Sequence, residues 1–182
     1  MRELSLNILD VCENSLRAKA TEVHVDVEVD EQKISIVIAD NGCGMTDEFL
    51  SRVTDPFTTT RTTRKVGLGL PLIKMEAEMS GGTFEIASEL NKGTTVTTTF
   101  AREHIDRPPL GNIGETIAAL LPDLGETRLI FSYRAFGQKF TLDTDEVKAQ
   151  LEGVPLDTPE VLVFLKELTN DNITTINGGI VL

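Results

Sequence analysis

Hydrophobic and polar positions follow two different periods along the N-terminal part of the chain. The first segment has apolar residues at helical spacing, which predicts an amphipathic helix over residues 2–19. Its apolar stripe consists of Leu4, Ile8, Val11, Cys12 and Leu16. Residues 21–29 and 34–38 instead place valine or isoleucine at every second position, which predicts two half-buried strands joined by a polar turn.

Four further elements are predicted up to residue 100. Thr46 caps a short helix that runs through about Val53, and a second helix over 68–80 ends at Gly81-Gly82. Two strands follow over residues 83–88 and 94–100. This order of elements predicts an α+β fold, a two-layer sandwich with helices on one face of a mixed, mostly antiparallel sheet.

The rest of the chain predicts a linker and a small C-terminal extension. Residues 103–111 contain two prolines and few core candidates, so we expect a linker between a domain over 1–102 and an α+β extension over 112–182. The sequence pattern of the extension predicts a helix over 113–121, a hairpin over 128–142, a capped helix over 143–151 and a helix that begins at Pro159. Two roles stay open for it: packing against the first domain, or binding a partner or a second copy.

Composition and charge narrow the classes of function. The 182 residues contain no apolar run long enough to cross a bilayer and no visible secretory signal, so we expect a cytoplasmic protein that does not bind membranes. Two cysteines are too few for a disulfide framework. The formal net charge of −12 argues against nucleic-acid binding, because such proteins neutralise phosphates with positive charge.

Positive charge is nevertheless concentrated in one stretch, residues 52–74. It contains Asp55 as its single acid and five basic residues, Arg52, Arg61, Arg64, Lys65 and Lys74. A solvated basic loop would explain this pattern, and so would a site for a small anion. The position of the stretch between two glycine motifs favours the second interpretation, with phosphate as the anion.

The first glycine motif is Asp40-Asn41-Gly42-Cys43-Gly44-Met45, which follows a strand that is predicted to be buried. A carboxylate at the end of such a strand can accept a hydrogen bond from the amino group of adenine. The two glycines allow the backbone to approach a flat ring closely. A common turn of the Asp-Asn-Gly type is the simpler interpretation of the motif on its own.

The second glycine motif, Gly67-Leu68-Gly69-Leu70, opens a predicted helix. Backbone N–H groups at a helix start form a ready anion site, and Thr58 to Arg61 supply hydroxyls and a cation just before it. The motif is neither a Walker loop nor a dinucleotide fingerprint.

A third candidate feature lies on the first helix, where Asp10 and Asn14 share one face. An exposed polar face is the simpler interpretation. The functional interpretation is that the amide oxygen of Asn14 is a ligand for Mg²⁺, while Asp10 orients or deprotonates a nucleophile.

In their order along the chain, these motifs resemble the ATP-binding domain of the superfamily of gyrase, chaperone, histidine-kinase and mismatch-repair ATPases. Residues 10–18 resemble its N box, residues 40–45 and 67–70 its two glycine boxes, residues 55–61 the aromatic-threonine segment of histidine kinases, and residues 81–82 and 92–95 its final strand pair. The resemblance implies the Bergerat-type fold, with ATP and Mg²⁺ as cofactors.

The resemblance also implies a role for individual residues. Asn14 would hold Mg²⁺, Arg17 would contact phosphate, Asp40 would bind adenine with support from Thr94, and Asp10 would be the catalytic carboxylate. ATP-hydrolysing members usually carry Glu at the position of Asp10, whose arm is shorter. The resemblance also places the following residues around the nucleotide: Gly42, Gly44, Met45, Phe57, Thr59, Thr60, Arg61, Lys65, Gly67, Leu68, Gly69 and Leu70.

The short segment between Phe57 and Gly67 favours the branch of histidine kinases and anti-sigma serine kinases. We expect a stand-alone kinase-type ATPase that phosphorylates or regulates an unidentified partner protein. The alternative is a regulatory module that senses ATP with little turnover. A dimeric ATP-driven clamp is disfavoured because no transducer domain follows, although a homodimer stays open.

Two further features have simple interpretations. His104 lies in a segment with a faint likeness to a kinase H box, but it follows the ATP-binding motifs, so we interpret it as a chance match in a linker. Cys12 and Cys43 both fall in nucleotide boxes. Small apolar packing explains them more simply than a redox switch does.

Overall fold

The computed structural model describes residues 3–55, 69–180 and 182. Its helices are α1 (Leu4–Arg17), α2 (Asp47–Leu50), α3 (Gly69–Met79), α4 (Ile113–Leu120), α5 (Thr144–Gln150) and α6 (Pro159–Ile176), with a 3₁₀ turn at Leu121–Asp123. Its strands are β1 (Glu22–Val29), β2 (Lys33–Asp40), β3 (Phe84–Glu89), β4 (Gly93–Ala101), β5 (Arg128–Ala135) and β6 (Gln138–Asp143). These bounds lie close to those predicted from the sequence.

Local chemistry explains where several of these elements begin and end. Thr46 caps α2, because its side chain accepts a hydrogen bond from the Phe49 N–H. Asp143 does the same for α5 through the Asp145 N–H. After α1 the chain turns at Lys19, whose φ of 58° is left-handed and stops the helix.

The six strands form one mixed sheet in the order β3-β4-β2-β1-β5-β6. Four of the five strand pairs are antiparallel, and β1 pairs with β5 in parallel. Neighbouring strands are paired so that their apolar residues lie opposite one another on the same face, for example Val25 beside Ile38 and Phe131. That face is the buried one, whereas Asp26 and Glu28 on the opposite face of β1 are exposed.

The helices cover the apolar face of the sheet. Helices α1 and α3 pack on the half that contains β2 and β4, and α4 extends the helical layer from α1 to α6. The buried face of α1 includes Leu4, Ile8 and Val11, as its helical periodicity predicts. The α+β prediction, a two-layer sandwich with helices on one face of a mixed sheet, is therefore confirmed.

The C-terminal strands continue this sheet rather than forming another one. The backbone N–H of Arg128 donates to the carbonyl of Thr21, and the hydroxyl of Thr127 donates to the carbonyl of Ala20. The start of β5 is therefore joined to the short connection between α1 and β1. The division into residues 1–102, 103–111 and 112–182 stays a prediction.

None of the helices in the described part of the chain is both long and apolar enough to span a bilayer.

Candidate functional site

A cavity of about 250 Å³ lies where α1, the end of β2, the glycine loop after it and β4 meet. Seven residues predicted for the site line this cavity: Asn14, Arg17, Asp40, Gly44, Met45, Leu70 and Thr94. The other lining residues were not predicted: Val11, Ser15, Ala18, Cys43, Phe49, Val53 and Val96. The walls are mostly apolar, and polar groups are concentrated at the end of the sheet.

The Asp40 carboxylate is held by two donors at the end of β2. Its Oδ2 accepts a hydrogen bond of 2.6 Å from the hydroxyl of Ser15, and its Oδ1 accepts one of 2.9 Å from the Gly42 N–H. Both oxygens are therefore fixed before any ligand arrives. This geometry suits an acceptor that must recognise a donor group of a ligand.

The Asp40 charge also affects a neighbouring thiol. Burial, and then the nearby Asp40 carboxylate, raise the pKa of Cys12 to about 12. Cys12 is buried on α1, so its thiol stays protonated at neutral pH. Cys43 in contrast is exposed and lines the cavity.

Ser15 is a functional candidate that the motifs did not single out. Its side chain is 2% exposed and lies among the apolar residues on the buried face of α1. A buried hydroxyl needs a hydrogen-bond partner, so a serine at that position of an apolar stripe was a usable signal. The hydroxyl lies 3.3 Å from the Val11 carbonyl one turn back and 2.6 Å from Asp40. The contact with Asp40 could not be predicted, because Asp40 lies 25 positions further along the chain.

The glycine loop is clamped between α1 and the turn that joins β3 to β4. The Cys43 N–H donates to the Ala18 carbonyl, and the Asn91 N–H donates to the Cys43 carbonyl. Gly44 has a φ of +61°, and a Cβ atom there would lie 2.0 Å from the carbonyl oxygen of Glu89. Only glycine fits this position, so the loop can close against the sheet while it borders the cavity.

Gly42 has a different environment from Gly44. A Cβ atom on Gly42 would lie 2.9 Å from both Cβ and the carbonyl oxygen of Ala18. Gly42 therefore packs against the end of α1, and its N–H reaches Asp40.

The opposite end of the site is formed by α1 and the start of α3. A Cβ atom on Gly69 would lie 3.0 Å from the Cβ of Asp10, so the predicted catalytic carboxylate lies beside the beginning of α3. Three residues before Asp10 on α1, the Nδ2 of Asn7 donates to the carboxylate of Glu76 on α3 at 2.5 Å. The structure thus brings Asp10 beside Gly69 of the second glycine motif, and the catalytic role of Asp10 stays a prediction.

Asn14 and Arg17 contact each other at the rim of the cavity. The Arg17 guanidinium donates to the Asn14 Oδ1 at 3.3 Å and forms an ion pair of 2.6 Å with Glu13. Arg17 is exposed, so little holds it in this position. The Asn14 oxygen that is predicted to bind Mg²⁺ therefore accepts a hydrogen bond from Arg17 in this structure.

Seven predicted site residues lie outside the described ranges, and their roles stay predictions. They are Phe57, Thr59, Thr60, Arg61, Lys65, Gly67 and Leu68.

The donor set near the cavity fits magnesium that arrives with a nucleotide. Within residues 3–55, 69–180 and 182, no group of three or more His, Cys, Asp or Glu side chains could hold a metal ion. Mg²⁺ usually keeps several waters and takes its other ligands from one or two protein oxygens and from substrate phosphates. One amide oxygen, that of Asn14, is consistent with this arrangement.

Comparison with known families decides which family the chain belongs to. The model of the family described as "Histidine kinase-, DNA gyrase B-, and HSP90-like ATPase" matches residues 2–104, more than half of the chain. The chain belongs to this ATPase family. The resemblance inferred from the ordered motifs is therefore confirmed, and the family supports ATP binding.

Relatives of this ATPase-family chain include sensor kinases. It is 33% identical over 104 residues to a putative sensor protein of Shewanella frigidimarina, an alignment that covers 55% of the chain and 16% of that protein. It is 34% identical over 94 residues to sporulation kinase D of Bacillus subtilis, covering 50% of the chain and 18% of the kinase. The chain thus spans less than a fifth of either relative.

A solved structure shares the fold over a longer part of the chain than the family model matches. The N-terminal domain of a DNA repair protein aligns with a TM-score of 0.56 over 78% of the chain and 52% of that domain. The sequences are 14% identical, so this likeness concerns the fold alone.

Proposed function

We propose that the chain is a cytoplasmic signalling protein that binds Mg-ATP beside Asp40 and acts as a kinase-type ATPase on a partner protein. The observation that carries this proposal is the doubly anchored carboxylate of Asp40 in a mostly apolar cavity. Family membership supports ATP as the ligand.

The base of the nucleotide is the part that this end of the cavity suits. A planar purine fits between apolar walls such as Val11 and Val96, and its amino group can donate to Asp40. The carboxylate can only accept hydrogen bonds, so a base that presents an oxygen there would place two acceptors against each other and would bind less tightly. We therefore assign the adenine to the Asp40 end.

The phosphates would then point toward Asp10 and the start of α3. Backbone N–H groups at the N-terminus of α3 favour negative charge, and α3 has eleven residues. Asn14 is the residue that would hold Mg²⁺, which supplies charge neutralisation of the phosphates when it is bound. Arg17, at the same rim of the cavity, adds a positive charge near the phosphates.

Asp10 is the residue that we assign to the chemical step. Its place beside Gly69 puts a carboxylate next to the predicted phosphate end, where it can accept a proton from water or from the serine or histidine of a partner. The partner is a protein whose serine or histidine accepts the phosphoryl group. The alternative, an ATP-sensing module with little turnover, rests on the short arm of Asp10 relative to glutamate.

Calorimetry with Mg-ATP tests the binding part of the proposal. We expect Asp40→Asn to weaken binding by about tenfold or more, because a charged acceptor contributes more than a neutral one. Asp26→Asn is the matched control, since Asp26 is exposed on the opposite face of the sheet. Equal affinities of wild type and Asp40→Asn would contradict the adenine assignment.

Transfer of label from γ-labelled ATP tests the catalytic part. Wild type, Asn14→Ala and Asp10→Asn are each incubated with lysate of the native cell. A labelled protein that appears with wild type and disappears with both variants supports a kinase. Stoichiometric ATP binding with neither labelled protein nor phosphate release would favour the sensing module.

A further inference from the structure

Ser88 on β3 lies at the same end of the sheet as the Asp40 carboxylate. Asp40 pairs with Thr94 across β2 and β4, and Thr94 pairs with Ser88 across β4 and β3. Directly paired residues point to the same face, so the three side chains form a polar row at the base end of the cavity. The motifs predict roles for Asp40 and Thr94 and none for Ser88.

Three groups surround the Ser88 hydroxyl, each at 2.9 Å. They are the Met45 N–H, the Gly93 carbonyl and the hydroxyl of Thr94. A serine hydroxyl donates one hydrogen bond and accepts two. The Met45 amide can only donate and the Gly93 carbonyl can only accept, so all three contacts are hydrogen bonds at once only when the Ser88 proton goes to Gly93.

The direction of the Thr94 hydroxyl follows from this count. In that arrangement Ser88 gives its proton to Gly93 and one lone pair to Met45, and its remaining lone pair accepts the Thr94 proton. Thr94, which lines the cavity, is thereby left with lone pairs and no proton to offer a ligand. Asp40 next to it is a carboxylate, which can only accept hydrogen bonds. Its two oxygens accept from Ser15 and Gly42 in this structure.

We propose that Ser88 is a specificity-determining residue, because by taking the Thr94 proton it makes the base end of the cavity acceptor-only. Such a site takes a purine with an amino group at position 6 and rejects one with an oxygen there. The same hydroxyl holds the glycine loop against β3 through the Met45 N–H. This inference rests on the proposed function, since it names how the same cavity selects its base.

The test compares two β-branched side chains of nearly equal shape at position 88. Ser88→Thr keeps the hydroxyl and Ser88→Val lacks it. Calorimetry gives the affinity of each variant for Mg-ATP and for the magnesium complex of inosine triphosphate, which has an oxygen at position 6. A merely structural role of Ser88 would not change the ratio of the two affinities, because both nucleotides need the same fold.

We expect wild type and Ser88→Thr to keep their preference for ATP. In Ser88→Val the Thr94 proton is free to turn into the cavity, and the preference falls by about fivefold, the weight of one hydrogen bond. Ser132→Ala is the control: Ser132 is buried on β5, and its hydroxyl has no partner among the described residues. That variant keeps the wild-type ratio.

A second measurement tests the contact with Met45 without any nucleotide. Amide hydrogen exchange at Met45 should be about fivefold faster in Ser88→Val than in Ser88→Thr, because one hydrogen bond is lost. Equal exchange in the two variants would show that Ser88 does not hold the loop.

The possible failures can be told apart. If the Ser88→Thr and Ser88→Val variants have the same ATP preference, whether both lose it or both keep it, the inference is overturned while ATP binding by wild type still supports the proposed function. If wild type binds neither nucleotide, the proposed function fails, and the base-selecting role fails with it. Exchange at Met45 then still shows whether the Ser88 contact exists.

Discussion

Replacing Ser15 by alanine removes the donor that holds the Oδ2 of Asp40. The bond between the two side chains is 2.6 Å long, Ser15 is 2% exposed, and the acceptor is a carboxylate. A hydrogen bond to a charged group contributes about 1.5–3 kcal/mol. Alanine has a higher helix propensity than serine, which offsets about 0.5 kcal/mol of this loss of stability. We therefore expect the free energy of unfolding to fall by about 1–2.5 kcal/mol.

The same substitution should also weaken ATP binding. Without Ser15, Asp40 keeps only the Gly42 N–H, and binding must then order a carboxylate that was already ordered in the wild type. Ordering one side chain at a binding site costs about 0.5–1.5 kcal/mol, which corresponds to an affinity loss of about two- to tenfold.

Urea unfolding followed by circular dichroism measures the first effect, and calorimetry with Mg-ATP measures the second. Ser5→Ala is the matched control, because Ser5 is also buried on α1 but bonds to Glu3 at the start of the helix. This control should leave ATP affinity unchanged. If Ser15→Ala has the stability and the ATP affinity of wild type, the Ser15 contact does not hold Asp40 and the reasoning is refuted.

Two other predictions concern acid stability and thiol reactivity. Hydrogen bonds from Arg128 lower the pKa of Asp143 in the folded chain. The ion pair should therefore add about 1 kcal/mol of stability relative to Asp143→Asn above pH 5. Asparagine keeps the cap on α5, and the difference should shrink as the pH falls below about 4, the ordinary range of an aspartate. A thiol reagent at neutral pH should modify Cys43 but not the buried Cys12, whose pKa is about 12, and Mg-ATP should slow the reaction several-fold.

Simple controls decide both predictions. The first is wrong if the stability difference between wild type and Asp143→Asn does not change with pH. For the second, Cys43→Ser should show no fast thiol in the native state. Two fast thiols in wild type, or a rate that ATP does not change, would contradict the placement of the two cysteines.

The helices and strands could be predicted because each has a hydrophobic pattern within its own stretch of sequence. The alternation of Val23 to Val29 and the stripe on α1 each determine which face is buried, and the structure buries those faces. The parallel pairing of β1 with β5 has no such signal. The hairpin at 128–142 was predicted, but its neighbour in the sheet depends on contacts between residues more than a hundred positions apart.

The candidate site divides in the same way. Asp40, Gly44 and Thr94 were predicted from short motifs, and the structure places all three at one cavity. Ser15 contacts Asp40, and Ser88 contacts the backbone N–H of Met45. The two residues of each pair are distant in sequence, so only the folded structure shows these contacts. The Asn14 contact with Arg17 also belongs to this second group, because spacing allows it but does not determine it.

The parallel pairing of β1 with β5 has a practical consequence for work on the family-matching part alone. A chain cut after residue 104 would lose β5 and leave one side of β1 with a row of unpaired backbone groups. Phe131 and Tyr133 would also no longer shield Val25 and Val27, which face the core. Such a fragment should self-associate through this bare strand, so its behaviour in solution would describe the truncation instead of the native ATPase domain.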